Sequence, residues 1–420
     1  MSTMFTPSDK APRIAVVGAG AAGLIAAGTA SALGASVTVF EANNRPGKKL
    51  LITGKGRCNV TNDCTAEEFI QNVTRNARFL YSAIHALSPA DLMSLIERQG
   101  VELKTERGRR VFPVSDKSAD ILRALLSYAE DAEIVYERVK EIVLKDGAVC
   151  GVRTERREIG FDAVIMATGG VSYPLTGSDG SGLAIATRLG HTVTPLVPSL
   201  VPLVSPSPYC AEMQGLSLRN VAITLKQGDK IVYRDFGEML FTHFGVSGPM
   251  ILSASAHLRD CGFDALTLHI DLKPALDEKE LDNRLLSDFT KSPNKDFGNA
   301  LGALLPSKMI SPFLSYTEMD THRKVHTVTR AERSRILHAL KDFSLPISGF
   351  RPISEAIVTS GGVSVKEINP KTMESKLIPH LYFAGEMIDV DAYTGGYNLQ
   401  IAFSTGYLAG SAAAETESCS

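Results

Sequence analysis

The 420-residue chain has no tryptophan and is short of aromatic residues overall, at 7%. Its six cysteines (Cys58, Cys64, Cys150, Cys210, Cys261 and Cys419) form no Cys-x-x-Cys pair and no metal-ligand spacing. That argues against a disulfide framework and a zinc site, and for reduced thiols in a cytoplasmic protein; no metal is expected. An excess of either charge is also missing. With 44 basic and 46 acidic residues the formal charge is −2, so no global positive field advertises nucleic acid or an anionic membrane. The opening MSTMFTPSDKAPR carries no apolar core of a signal peptide, so the Asn-x-Thr triplets at Asn59 and Asn72 are read as chance sequons. Low-complexity tracts and internal repeats are absent as well.

What is present is the composition of a globular protein, 44% hydrophobic and 21% charged, at a length that calls for two or three domains. One stretch organises the rest: RIAVVGAGAAGLIAAGTASALGASVTVFEA, residues 13–42. An apolar β-type run turns through Gly18, Gly20 and Gly23, continues as a helix of small residues, and closes with a second β-branched run ending at Glu41 and Ala42. Gly18 suits a tight turn, and Gly20, with Ala21 and Ala22, lets backbone approach a pyrophosphate. Gly23 lets the helix lie close on the strand, and the helix start offers free N–H groups to phosphates. Glu41, eighteen residues past Gly23, stands where a carboxylate can accept hydrogen bonds from ribose hydroxyls. The stretch is almost uncharged, but its glycines and the polar Thr29 and Ser31 fit a membrane span poorly.

After Glu41 comes NNRPGKKLLITGKGRCNVTND, read as a polar loop leaving the ligand edge of the sheet. Lys48, Lys49, Lys55 and Arg57 supply positive charge there, and Gly54 and Gly56 permit close backbone approach. Residues 65–100 read as two amphipathic helices, 101–114 as a hairpin, and 118–130 as a helix. Strands at 133–144 and 148–154 follow, joined by an Asp146-Gly147 turn. The apolar run 161–168 suits a buried parallel strand, and its Ala167-Thr168-Gly169-Gly170 ending places small residues beside a nucleotide. From Pro195 onward prolines mark a change of domain. Short alternating β runs fill 217–272 as an antiparallel sheet or small barrel, and 276–343 is charged and helical. Gly-rich ligand loops are concentrated before 183 and after 360, so the two ends read as one discontinuous domain. The fold expected is α/β: a Rossmann-like dinucleotide-binding domain at 1–195 and 350–420. Inserted in it is a substrate domain at 196–349, β-rich over 196–275 and helical over 276–349.

No second strand–GxGxxG–helix unit accompanies the first, which favours FAD over a two-dinucleotide, NAD-linked arrangement. The loop Gly395-Gly396-Tyr397-Asn398 opens a final helix, with Asn398 read as its N-cap. Its N–H groups and dipole suit an isoalloxazine ring.

Six motifs in order, GAGAAG (18–23), LLITGKGRCNVTN (50–62), GRRVFPVSDKSADIL (108–122), ATGGVSYPLTGSDGSG (167–182), FTHFGVSGP (241–249) and GEMIDVDAYTGGYNLQIAFSTG (385–406), give the chain a further likeness. It resembles the BaiN/YhiN-like bacterial flavoproteins, also known as aminoacetone-oxidase-family FAD-binding enzymes, over nearly its whole length. Residues 177–182 read GSDGSG where that family more often has GSTGDG. The resemblance implies non-covalent FAD held by Gly18, Gly20, Ala21, Ala22, Gly23, Glu41, Ala42, Lys49, Gly54, Arg57, Cys58, Asn59, Val139, Ala167, Thr168, Gly169, Gly385, Glu386, Asp391, Gly395, Gly396, Tyr397, Asn398 and Leu399.

The resemblance also implies reduction of a carbon–carbon double bond conjugated to a carbonyl, with NADH or NADPH as electron donor. A small steroid-like enone is the first substrate class, and a uridine of large-subunit ribosomal RNA, giving dihydrouridine, is the second. Amine oxidation is a third reading, and flavin binding without turnover a fourth. An RNA substrate would have to meet Lys48, Lys49, Lys55 and Arg57 or Arg107, Arg109 and Arg110, the candidate basic tracts. Either reduction needs an acid to protonate the α-carbon. The candidates are Cys58, Tyr173, His243 and Tyr393. Lys55 and Arg57, beside Cys58 in sequence, are expected to favour its thiolate.

Overall fold

The computed structural model describes residues 11–291 and 293–416. The chain divides into two compact units, each with its own apolar core. The first runs to Ser199 and resumes at Ile353; the second is Leu200–Pro352.

The first unit is built on a five-stranded parallel sheet. Its chief elements are β1 (Arg13–Val17), helix α1 (Ala21–Ala32), β2 (Ser36–Phe40), helix α2 (Ser118–Tyr128), β3 (Glu133–Val135), β4 (Ala163–Met166), β5 (Leu381–Phe383) and helix α3 (Tyr397–Ala414). The strand order is β5-β4-β1-β2-β3. All four strand pairs are parallel, Ile14 standing opposite Val37 on one side and Ala163 on the other. Strands buried on both faces read as unbroken apolar runs, which is why β1 and β4 carry no alternation. Helix α1 is buried nearly all round because α3 packs along it with backbone almost in contact. A Cβ added at Gly406 would stand 2.3 Å from the Ala22 carbonyl oxygen, and one at Gly410 would stand 2.4 Å from that of Ala26. Thr29 Oγ1 and the Tyr128 hydroxyl, 3.1 Å apart, tie α1 to α2.

Three stretches differ from the sequence reading. Residues 65–100 are not two helices. Thr65 caps Ala66–Gln71 through a capping box with Glu68; the helix stops at Asn72, and Val73–Arg75 pairs antiparallel with Asp391–Ala392. A second break falls at Leu87, which is extended, before Ser88 caps Pro89–Arg98. By length and composition Ala77–Arg98 could cross a membrane, but that break divides it. The stretch read as a loop after Glu41 contains a short helix, Lys48–Ile52, because the KKLLI run is a good helix former. The strand expected over 133–144 is two. Glu133–Val135 ends the parallel sheet, and Val139–Lys145 starts a separate antiparallel meander with Ala148–Thr154 and Glu158–Gly160.

The second unit holds a seven-stranded antiparallel sheet. Its outermost strands are Phe343–Pro346 and Gly349–Phe350, separated only by Ile347 and Ser348. The sheet must therefore curl until its edges meet, as in a small barrel. Long strands Ser217–Gln227 and Lys230–Thr242 alternate buried Val221, Ile223 and Leu225 with outward polar residues. Helices Glu278–Lys291, Ser307–Tyr316 and Arg330–Lys341 add Leu281, Leu285, Phe313, Ile336 and Leu340 to the same core.

His191 gives the first unit a pH dependence. It is buried, with Nε2 2.7 Å from Ser375 Oγ and its ring edge-on to Phe383; Nδ1 is buried without a hydrogen-bond partner. Burial lowers its pKa from the ordinary 6.5. The native state therefore binds fewer protons than the unfolded chain below that value. Stability is full above about pH 6.5 and falls as the pH drops from there to the lowered native pKa, with a slope of at most about 1.4 kcal/mol per pH unit. His191→Gln is expected to flatten that stretch of the stability–pH curve in urea unfolding; an unchanged slope would contradict the assignment.

Candidate functional site

The site is assembled at the C-terminal edge of the parallel sheet, where the strands end and the loops begin. At the centre is the start of α1. Gly20 is its N-cap, no side chain caps it, and its first turn has no acidic residue. Gly18 N–H donates to Phe40 O at 2.8 Å, holding the turn against the end of β2. Gly20 has an ordinary φ of −88°, and a Cβ placed on it meets nothing within 4 Å. Neither backbone conformation nor packing requires glycine there, so what it keeps open is a space before free N–H groups. That fits the phosphates of a dinucleotide.

Glu41 ends β2 with its carboxylate buried at the rim. Oε2 accepts the Ala19 N–H at 3.0 Å, and Oε1 accepts both the backbone and the side-chain N–H of Asn43 at 2.7 Å. Ala42 is exposed beside it. From β4, Ala167 continues the ladder to Val17 at 2.9 Å, Thr168 follows against the Gly18 turn, and Gly169 lies against Ser178. From β5, Gly385 reaches the side chain of Ala22. Val139 is buried at the start of the meander, opposite Thr154.

The start of α3 is a second uncapped helix terminus, with Gly396 at the N-cap. A Cβ on Gly396 would stand 2.3 Å from the Thr61 carbonyl, so the final loop lies directly on Thr61–Asn62. Asn398 is not the cap. Its amide turns back, accepting the Ala392 N–H at 3.0 Å and donating to the Ala392 and Tyr393 carbonyls, which locks the preceding loop. Asn59, with its amide oriented to satisfy its neighbours, accepts the Gly396 N–H at 2.9 Å. Tyr397 is buried edge-on to Phe69, and burial pushes its phenol up to about 12. Leu399 is half-buried one residue past Asn398.

Other residues of the sequence reading are brought here in different roles. Lys49 contacts Glu386 and stands 2.7 Å from Ser172 Oγ; Glu386 also accepts from Ser172 Oγ and the Thr359 N–H. The Thr359 hydroxyl in turn accepts the Val171 and Ser172 N–H groups. This part-buried network ties four segments together. Ser172 and Thr359 went unrecognised in the sequence because they bond to each other across 187 residues, and Ser172 to Glu386 across 214. Asp391 is buried and receives the hydroxyls of Ser199, Ser360 and Thr74, fixing the strand before α3.

Cys58 requires a correction. The loop Thr53–Gly56 and Cys58 is wound through left-handed conformations at Gly54, Lys55, Gly56 and Cys58. It turns the thiol into the apolar core, fully buried, and leaves Lys55 exposed. Arg57 points away. Its guanidinium stacks on Phe112, 4.1 Å from the ring centroid, and pairs with Glu106 and Asp116. No cation faces the sulfur, so desolvation pushes the thiol up to about 12 and the expected thiolate does not form near neutral pH. Tyr173 and Tyr393 are half-buried in loops of the first unit. His243 belongs to the second unit, exposed at the turn after Thr242, with its ring edge-on to Phe244. Among the described residues no group of His, Cys, Asp and Glu gathers to hold a metal.

Maleimide at neutral pH is expected to leave Cys58 unmodified in the native protein and to label it after unfolding. Labelling of the folded protein at Cys58, read by peptide mass spectrometry, would overturn the buried-thiol assignment.

A family model described as the HI0933-like protein Rossmann domain matches residues 12–412. A 3-dehydro-bile acid delta(4,6)-reductase of Clostridium scindens is 31% identical over 410 residues, covering 96% of this chain and 99% of the relative. A ribosomal RNA dihydrouridine synthase of Escherichia coli is 29% identical over 397 residues, covering 93% and 95%. Among solved structures, a 3-ketosteroid delta1-dehydrogenase from Sterolibacterium denitrificans, in complex with 1,4-androstadiene-3,17-dione, aligns over 96% of this chain and 99% of its own. Its TM-score is 0.50 at 12% identity, a likeness of fold. With the family model spanning the sheet, both helix starts and the inserted unit, the chain belongs to the HI0933-like Rossmann family of FAD-dependent oxidoreductases.

Proposed function

We propose that this enzyme reduces the carbonyl-conjugated carbon–carbon double bond of a small, steroid-like enone, with NADH or NADPH as electron donor. When bound, FAD supplies the hydride. The chain's part is to hold that cofactor, position the enone and give a proton to its α-carbon. The free N–H groups at the start of α1 suit the diphosphate, Glu41 the ribose, and the start of α3 the ring system. The 31% identical bile acid reductase supports the reaction type.

The observation that carries the choice of substrate is that Lys49, Arg57 and Arg109, three of the seven cations in the basic tracts, pair with carboxylates of the chain itself. Lys48 donates to Asn43, Lys49 pairs with Glu386, Arg57 with Glu106 and Asp116, and Arg109 with Glu68. Cations already held by carboxylates offer little to a phosphate backbone, whose neutralisation dominates RNA affinity. The 29% identical ribosomal RNA dihydrouridine synthase keeps RNA as the competing arm of the test.

Tyr173 is the proton donor we favour. It is a non-glycine residue at φ +51°, part-exposed on the turn that follows the β4 loop. Holding a tyrosine there costs about 1–2 kcal/mol, and such strain clusters at functional sites. Its neighbour in role, Tyr393, has ordinary backbone anchored by its N–H to Asn72 O at 3.1 Å.

The enzyme reduced anaerobically by NADPH or NADH is expected to be reoxidised stoichiometrically by a steroid enone and not by ribosomal RNA lacking dihydrouridine. Reoxidation by the RNA alone would reverse the assignment, and peroxide release on amines would indicate an oxidase. Tyr173→Phe is expected to slow reoxidation about 10²-fold or more while leaving reduction by nicotinamide unchanged; equal rates would remove Tyr173 from the role. Gly20→Val is expected to match the flavin-free wild type in thermal stability, because a Cβ there meets open space, yet to purify without flavin. Normal flavin content in that variant would refute the phosphate cradle.

A further inference from the structure

Asn43 joins two parts of the first unit that the proposed reaction uses separately. On one side it fills Glu41 Oε1, giving it both its backbone and its side-chain N–H at 2.7 Å. A carboxylate has about four acceptor positions. With the Ala19 N–H on Oε2, one position is left, also on Oε2, for a ribose hydroxyl. On the other side, Asn43 Nδ2 donates to the Thr176 carbonyl at 3.2 Å. Thr176 closes the turn that carries Tyr173: its N–H and hydroxyl both reach the Tyr173 carbonyl, at 2.9 and 2.7 Å. Asn43 Oδ1 also accepts from Lys48 Nζ at 3.1 Å.

The loop is shaped to receive this amide. Gly177, next to Thr176, has φ +107°, and a Cβ on it would stand 2.4 Å from Asn43 Nδ2. Within the turn, Leu175 is 94% exposed, so its side chain adds no packing at the tip. Farther along, Asp179 pairs with Arg138, which leaves Asn43 as the link to the ribose carboxylate.

We propose that Asn43 is a positioning residue that couples occupation of the ribose carboxylate Glu41 to ordering of the Tyr173–Gly177 turn. The inference rests on the dinucleotide reading of the site. A hydroxyl on Oε2 fixes the Glu41 carboxylate, the fixed carboxylate fixes the Asn43 amide, and the amide holds the Thr176 carbonyl. Seating the nucleotide end of the cofactor thus stiffens a proton-donor turn that Asn43 already links to Glu41. Coupling of this kind is reciprocal: whatever factor the nucleotide contributes to ordering the turn, the ordered turn contributes to nucleotide affinity.

The probe is ADP, which occupies the nucleotide end without a flavin ring, added to the full-length protein freed of flavin. Hydrogen exchange of the peptide spanning residues 173–178 and calorimetric ADP affinity are measured together. In the wild type, ADP is expected to slow exchange of the turn about five-fold or more. Asn43→Ala is expected to abolish that protection and weaken ADP by the same factor. Gly177→Ala, which leaves Glu41 and Asn43 intact and blocks the approach from the loop side, is expected to do the same. If ADP binds but the turn is unaffected, or is protected equally in both variants, the coupling is wrong and the dinucleotide site stands. If wild-type protein does not bind ADP, the site reading falls and the coupling with it.

Discussion

The constraint on which the first unit depends is the near-contact of the α1 and α3 backbones. Two helices packed through ordinary side chains keep their axes 8–10 Å apart. Here Gly406 and Gly410 face Ala22 and Ala26 with no room for a methyl group. A side chain there would push α3 off α1 and cost about 1–3 kcal/mol or more in overpacking. It would also separate the two helix starts that serve the site. Because α1 follows β1 and α3 follows β5 by way of the final loop, close packing of the helices brings both uncapped termini to one edge of one sheet. The positive ends of two dipoles, each with unsatisfied N–H groups, then point toward the same edge without a carboxylate in either first turn, the start of α3 standing nine residues, about 14 Å, beyond the contact of Gly406 with Ala22. That is a poor arrangement for an isolated protein and a good one for an anionic cofactor.

What was legible in the sequence follows the range of the interactions involved. The β1–α1–β2 unit is local: turn glycines, small helix residues and the closing Glu41 lie within 30 residues, and each is demanded by something nearby. The interrupted domain could be read because the change in texture, from Gly-rich loops to proline and alternating β runs, is a property of stretches. The helix expected through residues 65–86 failed for a tertiary reason. Val73–Arg75 leaves the helix to pair with Asp391–Ala392, more than 300 residues away, and no local propensity announces a partner that distant. The part-buried network of Lys49, Ser172, Thr359 and Glu386 was hidden for the same reason in its long links, Lys49 to Glu386 and Ser172 to Glu386, although two of its members stood in motifs already singled out.

Electrostatics was misread where sequence adjacency stood in for spatial proximity. Arg57 precedes Cys58, but the left-handed backbone between Gly54 and Cys58 sends the two side chains in opposite directions. The guanidinium goes out to Phe112, Glu106 and Asp116, and the thiol goes into the core. Charge counting on the loop therefore overstated its free positive charge as well. The segment reads as a basic patch, yet Lys49 and Arg57 spend their charge on carboxylates of the same unit. These pairs are part-exposed, so each adds little stability. Their effect is geometric: they anchor the loop between β2 and the Thr61–Asn62 strand, on which the start of α3 rests.

The same accounting explains why acidic groups occur so close to a site meant for an anion. Glu41 and Asp391 are buried and Glu386 is part-buried, and each is held by three donors: two backbone N–H groups and an amide for Glu41, an ammonium, hydroxyl and N–H for Glu386, three hydroxyls for Asp391. A carboxylate surrounded in this way presents little outward potential, because its field is spent on fixed donors at hydrogen-bond distance. What it does is hold those donors still. Glu386 fixes the loop after β4, and Asp391 fixes the strand before α3. Glu41 keeps one acceptor position in reserve. In the proposed reading that position takes a ribose hydroxyl, so binding at Glu41 would be felt elsewhere in the unit through the donors it holds.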